Sequence, residues 1–262
     1  MVDVSAAPVL ALRGVSKRFG AVQALTEVDL EVHAGEVIAL VGDNGAGKST
    51  LIKTIAGVHA VDEGTVEWDG GPVRIDRPHD AQRLGIATVY QDLALCDNLD
   101  VVGNLYLGRE LRRGGFLDEI EMERRSHGLL TDLAIRIPSV RIPIASLSGG
   151  QRQTVAIARS LLGSPRLVIL DEPTAALGVE QTAQVLDLVE KLRERGLAII
   201  LISHNMADVK AVADRVAVLR LGRNNGVFEV ATTSQEDIVA AITGATDNAV
   251  TRRAARSEEP VR

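Results

Sequence analysis

Apolar and polar residues alternate over Val9 to Arg13 and again over Thr26 to Val32, the period of a strand with one buried face. Gly14, Gly20 and Gly35 punctuate these segments, which predicts an antiparallel edge sheet. Val37 to Val41 is different: a short apolar run that breaks into a glycine-rich loop, after which Ser49 to Ala56 continues as a helix. Val66 to Ile75 reads as another sheet segment turning at Gly70-Gly71, followed by a short helix over Ala81 to Leu84 and a strand over Ile86 to Tyr90.

From about Asp92 to Ile144 the pattern becomes helical and polar, with a charged stretch from Asp118 to Arg125 and closure at Pro138 and Pro143. An inserted helical lobe is expected there, reaching to the end of a helix over Gln151 to Leu162. Beyond it the chain alternates. Leu167 to Leu170 is a fully apolar strand, Glu180 to Arg195 a helix, Leu197 to Ile202 a strand and Met206 to Ala213 a helix. Such alternation implies a parallel sheet covered on both faces. Val216 to Leu219 and Val227 to Ala231 are expected as edge strands, Ser234 to Ile242 as a helix, and Asp247 to Arg262 as a disordered polar tail. The expected organisation is one α/β domain over residues 9–244 with the lobe, about 92–162, inserted into it, and no solenoid-type repeat.

Composition narrows the function. A chain of 262 residues with 46% hydrophobic and 24% charged residues fits a globular protein, and its net charge of −6 gives no global reason to bind nucleic acid. The longest apolar runs, such as Leu197 to Ile202, fall far short of the ~20 residues that cross a bilayer. Met1 to Pro8 carries Asp3 and lacks the basic and apolar regions of a secretory signal, so a cytoplasmic location is expected. Cys96 is the single cysteine, which forbids an intrachain disulfide and suits a reducing compartment. It reads more readily as a small buried hydrophobe than as a reactive thiol.

Two motifs carry chemistry. Gly42-Asp43-Asn44-Gly45-Ala46-Gly47-Lys48-Ser49 fits the phosphate-binding pattern G-x-x-x-x-G-K-[ST], and the strand before it and helix after it are the context that pattern requires, which disfavours a mere glycine-rich turn. Glycines let backbone N–H groups converge on phosphate oxygens at a helix N-terminus; Lys48 reaches the β- and γ-phosphates and the Ser49 hydroxyl ligates Mg²⁺. Leu167-Val168-Ile169-Leu170-Asp171-Glu172 sets two carboxylates at the end of a buried strand. Asp171 is placed to hold the magnesium ion and Glu172 to polarise the attacking water as general base. Taken alone, acids at a strand end are as readily caps or ion-pair partners; beside a phosphate loop they gain the catalytic reading. The expectation is thus a nucleoside triphosphatase with a P-loop core.

Leu147-Ser148-Gly149-Gly150-Gln151 resembles the signature of the ABC ATPases. By itself the segment could be a loop in which Ser148 caps the helix near Gln151, and exposed N–H groups at that end also suit phosphate. With the two motifs in the family's order and spacing, the chain from Leu10 to about Gly244 is identified as similar to ABC ATPases. The resemblance implies their fold: a P-loop core with a mainly parallel sheet, an antiparallel edge β-subdomain and an inserted α-helical subdomain. It implies ATP and Mg²⁺ as cofactors, with Phe19, Gly42 to Ser49, Thr50 and Ser148 to Gln151 on the nucleotide. It also implies a magnesium-sensing glutamine at Gln91 and a γ-phosphate histidine at His204, so that Lys48, Gln91, Glu172 and His204 are catalytic and Ser49, Gln91 and Asp171 serve the metal. Gln91 could otherwise be a surface residue, His204 a satisfied core histidine, and Phe19 either stacks on adenine or packs under the edge sheet.

The resemblance further implies a homodimer in the ATP-bound state, each nucleotide held between Lys48 and Ser49 of one subunit and Ser148 to Gln151 of the other. One departure stands out: Ala175-Ala176-Leu177-Gly178 lacks the aspartate with which the family usually ends this loop. Thr174 to Glu180, Ile202 to Val209 and Leu219 to Arg223 look like single-cassette ATPases of monosaccharide importers, including the fructose type. That implies transmembrane permease subunits bound near Gln91, an extracytoplasmic sugar-binding protein acting through them, no nucleic acid, and a place on the cytoplasmic face of the membrane. The alternatives are a cassette for another small solute or for export, or a soluble ABC ATPase of DNA repair or translation; the last usually carries coiled-coil insertions, tandem cassettes or basic arms, which are absent from this sequence.

Overall fold

The computed structural model describes residues 7–245; the polar tail expected over 247–262 lies outside them. The chain begins with β1 (Leu10–Phe19), β2 (Val22–Val32) and β3 (Val37–Val41), followed by α1 (Lys48–Ile55), β4 (Glu63–Trp68), β5 (Gly71–Val73), α2 (Pro78–Leu84) and β6 (Ile86–Val89). A helical segment comprises α3 (Val101–Tyr106), a small hairpin of β7 (Arg112–Arg113) and β8 (Phe116–Leu117), α4 (Glu119–Asp132) and α5 (Gly149–Leu161), with one 3₁₀ turn at Ile144–Ser146. The alternation then resumes with β9 (Leu167–Asp171), α6 (Val179–Glu194), β10 (Ala198–Ile202), α7 (Met206–Val212), β11 (Arg215–Arg220), β12 (Arg223–Glu229) and α8 (Gln235–Thr243).

Two main sheets result. One has strand order β12-β11-β3-β10-β9-β6, parallel throughout except for β12; the other, β2-β1-β4-β5, is antiparallel. The parallel sheet explains why its strands are continuously apolar: both faces are covered. Val37, Ala39 and Val41 of β3, with Val168, Leu170, Ile199 and Leu201, face a core shared with α5 and α6. Ile38 and Leu40, with Ile169 and Ile200, face the opposite way, toward α1 and the antiparallel sheet. The period-2 geometry of a strand thus feeds two cores from one sheet.

Three expectations are corrected. Gly14 does not end β1. Its amide donates to the Asp29 carboxylate at 2.8 Å, the pairing with β2 shifts register there, and the strand continues to Phe19 through a bulge. The β4–β5 turn sits on Asp69-Gly70, both with positive φ, while Gly71 already pairs with Trp68. That pattern suits a tight hairpin, in which a short polar residue and a glycine adopt the left-handed region. Finally, β11 is no edge strand: it pairs with β3 on one side and β12 on the other, leaving β12 at the edge.

Candidate active site

The parallel sheet explains how residues distant in sequence meet. Register aligns Leu40 of β3 with Ile202 of β10, Ile202 with Asp171 of β9, and Leu170 with Val89 of β6. Four neighbouring strands therefore end at one edge, and each is followed by a segment singled out above: Gly42 to Ser49, His204, Glu172 and Gln91. Ligands of open α/β sheets bind at this carboxyl edge.

The glycine-rich loop is shaped by contacts that exclude side chains. At Gly47, with φ of 105°, a Cβ would come within 2.9 Å of the Ala24 carbonyl and of Leu25; at Gly42, with φ of 151°, it would collide with the Leu219 carbonyl. Ala46 is buried and anchors the loop, its carbonyl accepting from the Gly222 amide. No side chain caps α1, so the first-turn amides, including those of Ser49 and Thr50, point outward without helical acceptors, as an anion site requires. Asp43, Asn44 and Gly45 are exposed. Lys48 is half-buried, and its Nζ donates to the carbonyls of Gly42 (2.6 Å) and Asp43 (3.0 Å). Burial lowers its pKa, partly offset by the carboxylates of Glu172, Asp43 and Asp171. This half-buried cation, fixed by carbonyls, is placed to meet phosphate oxygens.

The two acids sit close by, at the end of β9, which β10 separates from β3. Burial, then the neighbouring Glu172, raises the pKa of Asp171, while Lys48 and Lys53 oppose this. Glu172 adopts φ of 50°, in the left-handed region, held by its amide bond to the Ile202 carbonyl (3.0 Å) and by the Ala175 amide on its own carbonyl (3.1 Å). A non-glycine residue kept there costs of order 1–3 kcal/mol and persists only where its surroundings fix it. The Glu172 side chain is 16% exposed and lies 2.8 Å from His204 Nδ1, whose own side chain is 75% exposed. His204 is therefore no core histidine. The carboxylate and imidazole form a pair open on one side, a geometry that can accept and pass a proton. Among the described residues no cluster of three or more His, Cys, Asp or Glu could hold a metal ion. The hard-oxygen donors at hand are Ser49 and Asp171, so a divalent cation here would need phosphate oxygens to complete its shell, as Mg²⁺ commonly does.

Phe19, at the end of β1, is 43% exposed and meets the His59 ring edge-on at 4.9 Å, with the Lys17 ammonium 5.5 Å from its centroid. It does not pack under the edge sheet. Gln91 is exposed just past β6. At the signature, Ser148 caps α5: its hydroxyl accepts from the Gln151 amide (3.2 Å) while Gln151 Oε1 accepts from the Ser148 amide (3.1 Å). Gly149 and Gly150 let this corner pack on α6, for a Cβ on Gly150 would lie 2.8 Å from Gln181 Cβ. No hydrogen bond or ion pair among the described residues joins Ser148 to Gln151 to the glycine-rich loop, so within one chain the two phosphate-suited surfaces are separate.

The sequence did not point to Asp208. Buried on α7, it accepts from the Thr174 hydroxyl at 2.6 Å and from Asn205 Nδ2 at 3.0 Å. It thereby ties the loop after Glu172 to the one after His204. Its sequence signal was no more than an acid in the first turn of a helix.

The chain as a whole is similar to known proteins. Residues 25–175 match the family model described as ABC transporter. The chain is 44% identical over 246 residues to a fructose import ATP-binding protein of Rhizobium meliloti, covering 91% of this chain and 95% of the relative. It is 47% identical over 214 residues to a xylose/arabinose import ATP-binding protein of Sulfolobus acidocaldarius, covering 82% and 85%. A solved dimeric, post-hydrolysis ATP-binding cassette bound to ADP and Pi superposes with a TM-score of 0.70 at 26% identity, over 84% of this chain and 98% of that one.

Proposed function

We propose, since this chain belongs to the ABC transporter ATP-binding family, that it hydrolyses ATP to power uptake of a monosaccharide through partner permease subunits. The observation that carries the reading is the convergence of Lys48, Asp171, Glu172 and His204 at one sheet edge. Lys48 and the first-turn amides of α1 bind the phosphates, with Phe19 set to stack on adenine. Glu172 takes a proton from the attacking water, and His204 orients Glu172 and the γ-phosphate. Mg²⁺, when bound, would neutralise phosphate charge, with Ser49 and Asp171 as its protein ligands and Gln91 as its sensor.

The separation just described supports a dimer. Ser148 to Gln151 of one subunit close the site of the other, and a two-fold axis repeats the contact. Sugar uptake is supported by the names of the two relatives, which import fructose and xylose or arabinose. No described helix is long and apolar enough to cross a membrane; on this reading partner permeases carry out the translocation. A groove of about 650 Å³ beside Gln91, lined by Val58, Leu93, Leu107 and Ala156, is a surface suited to receive them. On this reading the subunit works at the cytoplasmic face of the membrane, with an extracytoplasmic sugar-binding protein acting through the permease.

The test is ATPase assay of the chain reconstituted with the permease and binding protein, across a panel of monosaccharides. Weak basal turnover should rise when the binding protein is loaded with its sugar. Stimulation by DNA or ribosomes, with none from any loaded permease complex, would overturn the reading.

A further inference from the structure

Between α3 and α4 the chain makes a small projection, the hairpin of β7 and β8. Gly114 and Gly115, with φ of 60° and 88°, form its two-residue turn, both in the left-handed region as the favoured turn of that length requires. The Asp118 amide closes the base by donating to the Leu111 carbonyl at 2.9 Å. Arg113 pairs with Phe116 and Arg112 with Leu117. Residues directly opposite in such a ribbon share a face, and successive residues take opposite faces. Each face therefore carries one arginine and one apolar side chain. Phe116 is 81% exposed, more than any other aromatic residue described, Leu117 is exposed, and Ile120 on the first turn of α4 is 83% exposed. Single exposed apolar residues are common, but three within five positions beside a projecting turn mark an interaction surface.

The charges around this surface are unevenly engaged. Arg112 and Arg113 are exposed and make no side-chain hydrogen bond or ion pair among the described residues. The neighbouring acids all have partners. Glu110 accepts from the Gly108 amide (2.9 Å); that bond and then its own amide, with Arg112 nearby a lesser cause, hold its carboxyl below the usual range. Asp118 accepts from the Glu121 amide (3.1 Å), and Glu121 holds Arg124 (2.6 Å) and Arg125 (2.7 Å). Arg141 reaches both Glu119 (3.4 Å) and Glu123 (2.9 Å). What remains unengaged at the hairpin is positive charge beside apolar side chains, the combination that seats at an anionic bilayer surface. A permease suits it less, because the cytoplasmic loops of membrane proteins carry an excess of Lys and Arg, which would repel these arginines. The hairpin begins shortly after Leu107, which lines the groove beside Gln91, so it adjoins the surface read above as the permease's seat.

We propose that this hairpin is a membrane-contact element: Phe116 and Leu117 enter the interfacial layer of an anionic bilayer while Arg112 and Arg113 meet its headgroup phosphates. An arginine pairs with phosphate through its planar fork while its stem lies along apolar surface, so each face of the ribbon can engage a headgroup and the apolar layer beneath it. Two apolar side chains and two charges give weak, reversible partitioning. On a subunit already held by a permease such a contact adds to the hold, because the second contact is then made within one assembly. The inference rests on the reading of this chain as the peripheral subunit of a transporter.

The test mixes the full chain, without permease, with vesicles of phosphatidylcholine alone or of phosphatidylcholine and phosphatidylglycerol in equal parts, and reads the bound fraction by sedimentation. A chain of net charge −6 is repelled as a whole by an anionic surface, so attraction must come from a local site. Binding should favour the anionic vesicles and weaken as salt rises. An arginine near such a surface is worth about fivefold, so the double variant Arg112→Ser, Arg113→Ser should partition roughly 10- to 30-fold less, and Phe116→Ser roughly tenfold less. Both should keep the parental melting temperature and basal ATPase activity, since these side chains are exposed. In the parental chain, the amides of residues 111–118 should exchange more slowly when anionic vesicles are present; unchanged exchange there would overturn the proposal even where a variant fails to fold. Equal binding to both vesicle types, or parental partitioning in both variants, would overturn it as well. Parental partitioning joined to impaired assembly with the detergent-solubilised permease would assign the hairpin to a protein contact instead. Sugar-stimulated turnover of the reconstituted complex, with no vesicle binding by the chain, refutes this inference alone. Vesicle binding that the variants lose, with no stimulation by any loaded permease, supports the contact and refutes the transporter reading.

Discussion

Gly178 stands at the N-cap of α6 with φ of −72° and ψ of 166°, an extended conformation open to any residue. No side chain caps the helix, a Cβ at this position would meet nothing within 4 Å, and the following Val179 is 92% exposed. Gly178→Asp therefore adds a carboxylate at no steric cost. Its oxygen can accept from the amides of the first turn, worth a few tenths of a kcal/mol over glycine. Its charge faces the positive end of a 16-residue helix, worth about 0.3–1 kcal/mol. Loss of glycine's freedom in the unfolded chain adds about 0.4–1 kcal/mol. Together these stabilise the fold by roughly 1–2 kcal/mol, or several degrees in Tm at about 2–4 °C per kcal/mol for a chain of this size. Gly178→Ala is the control, because it shares the entropy gain while alanine is a poor N-cap. Urea unfolding at low salt, without nucleotide, should place the aspartate variant above the alanine variant by roughly 0.5–2 kcal/mol. Equal midpoints and slopes for the two would show that the helix end is already satisfied in solution, and the capping argument would fail.

Lys48→Ala should weaken ATP binding and remove turnover, since the ammonium that the Gly42 and Asp43 carbonyls position is lost; equilibrium binding of a fluorescent ATP analogue and phosphate release report both. Glu172→Gln keeps the side-chain shape beside His204 and should preserve ATP binding while cutting turnover roughly 10²- to 10⁴-fold, the usual worth of a positioned general base. Sedimentation of that variant at saturating ATP and Mg²⁺ should show a dimer, and ADP should hold it less well. Mixing Lys48→Ala with Ser148→Arg subunits, each inactive alone, should restore part of the activity, because one site of the mixed dimer collects both defects and the other is intact. Asp208→Ala removes two hydrogen bonds to a buried carboxylate, each worth about 1.5–3 kcal/mol; thermal melts should show clear destabilisation and turnover should fall along with it.

The glycine-rich loop and the paired acids were legible in the sequence because their chemistry is local: a strand, a turn and a helix N-terminus within a dozen residues dictate which atoms face a phosphate. The continuously apolar runs at Val37 and Leu167 likewise announced strands covered on both faces, since burial of both faces removes the alternation that an exposed face would impose. What the pattern could not carry was adjacency. Gly14 looks the same whether it ends a strand or bulges within one, and Asp29, the side chain that decides, lies 15 positions away. The β11 strand was expected at an edge, yet β3 pairs with it across more than 170 residues, and only that pairing makes it interior. The same non-local order sets β10 between β3 and β9, which brings His204 against Glu172 and lets Asp208 take hold of a loop far from it in the chain. Side-chain periodicity determines which face of an element is buried; which neighbour buries it is decided by the strand order and packing of the two main sheets.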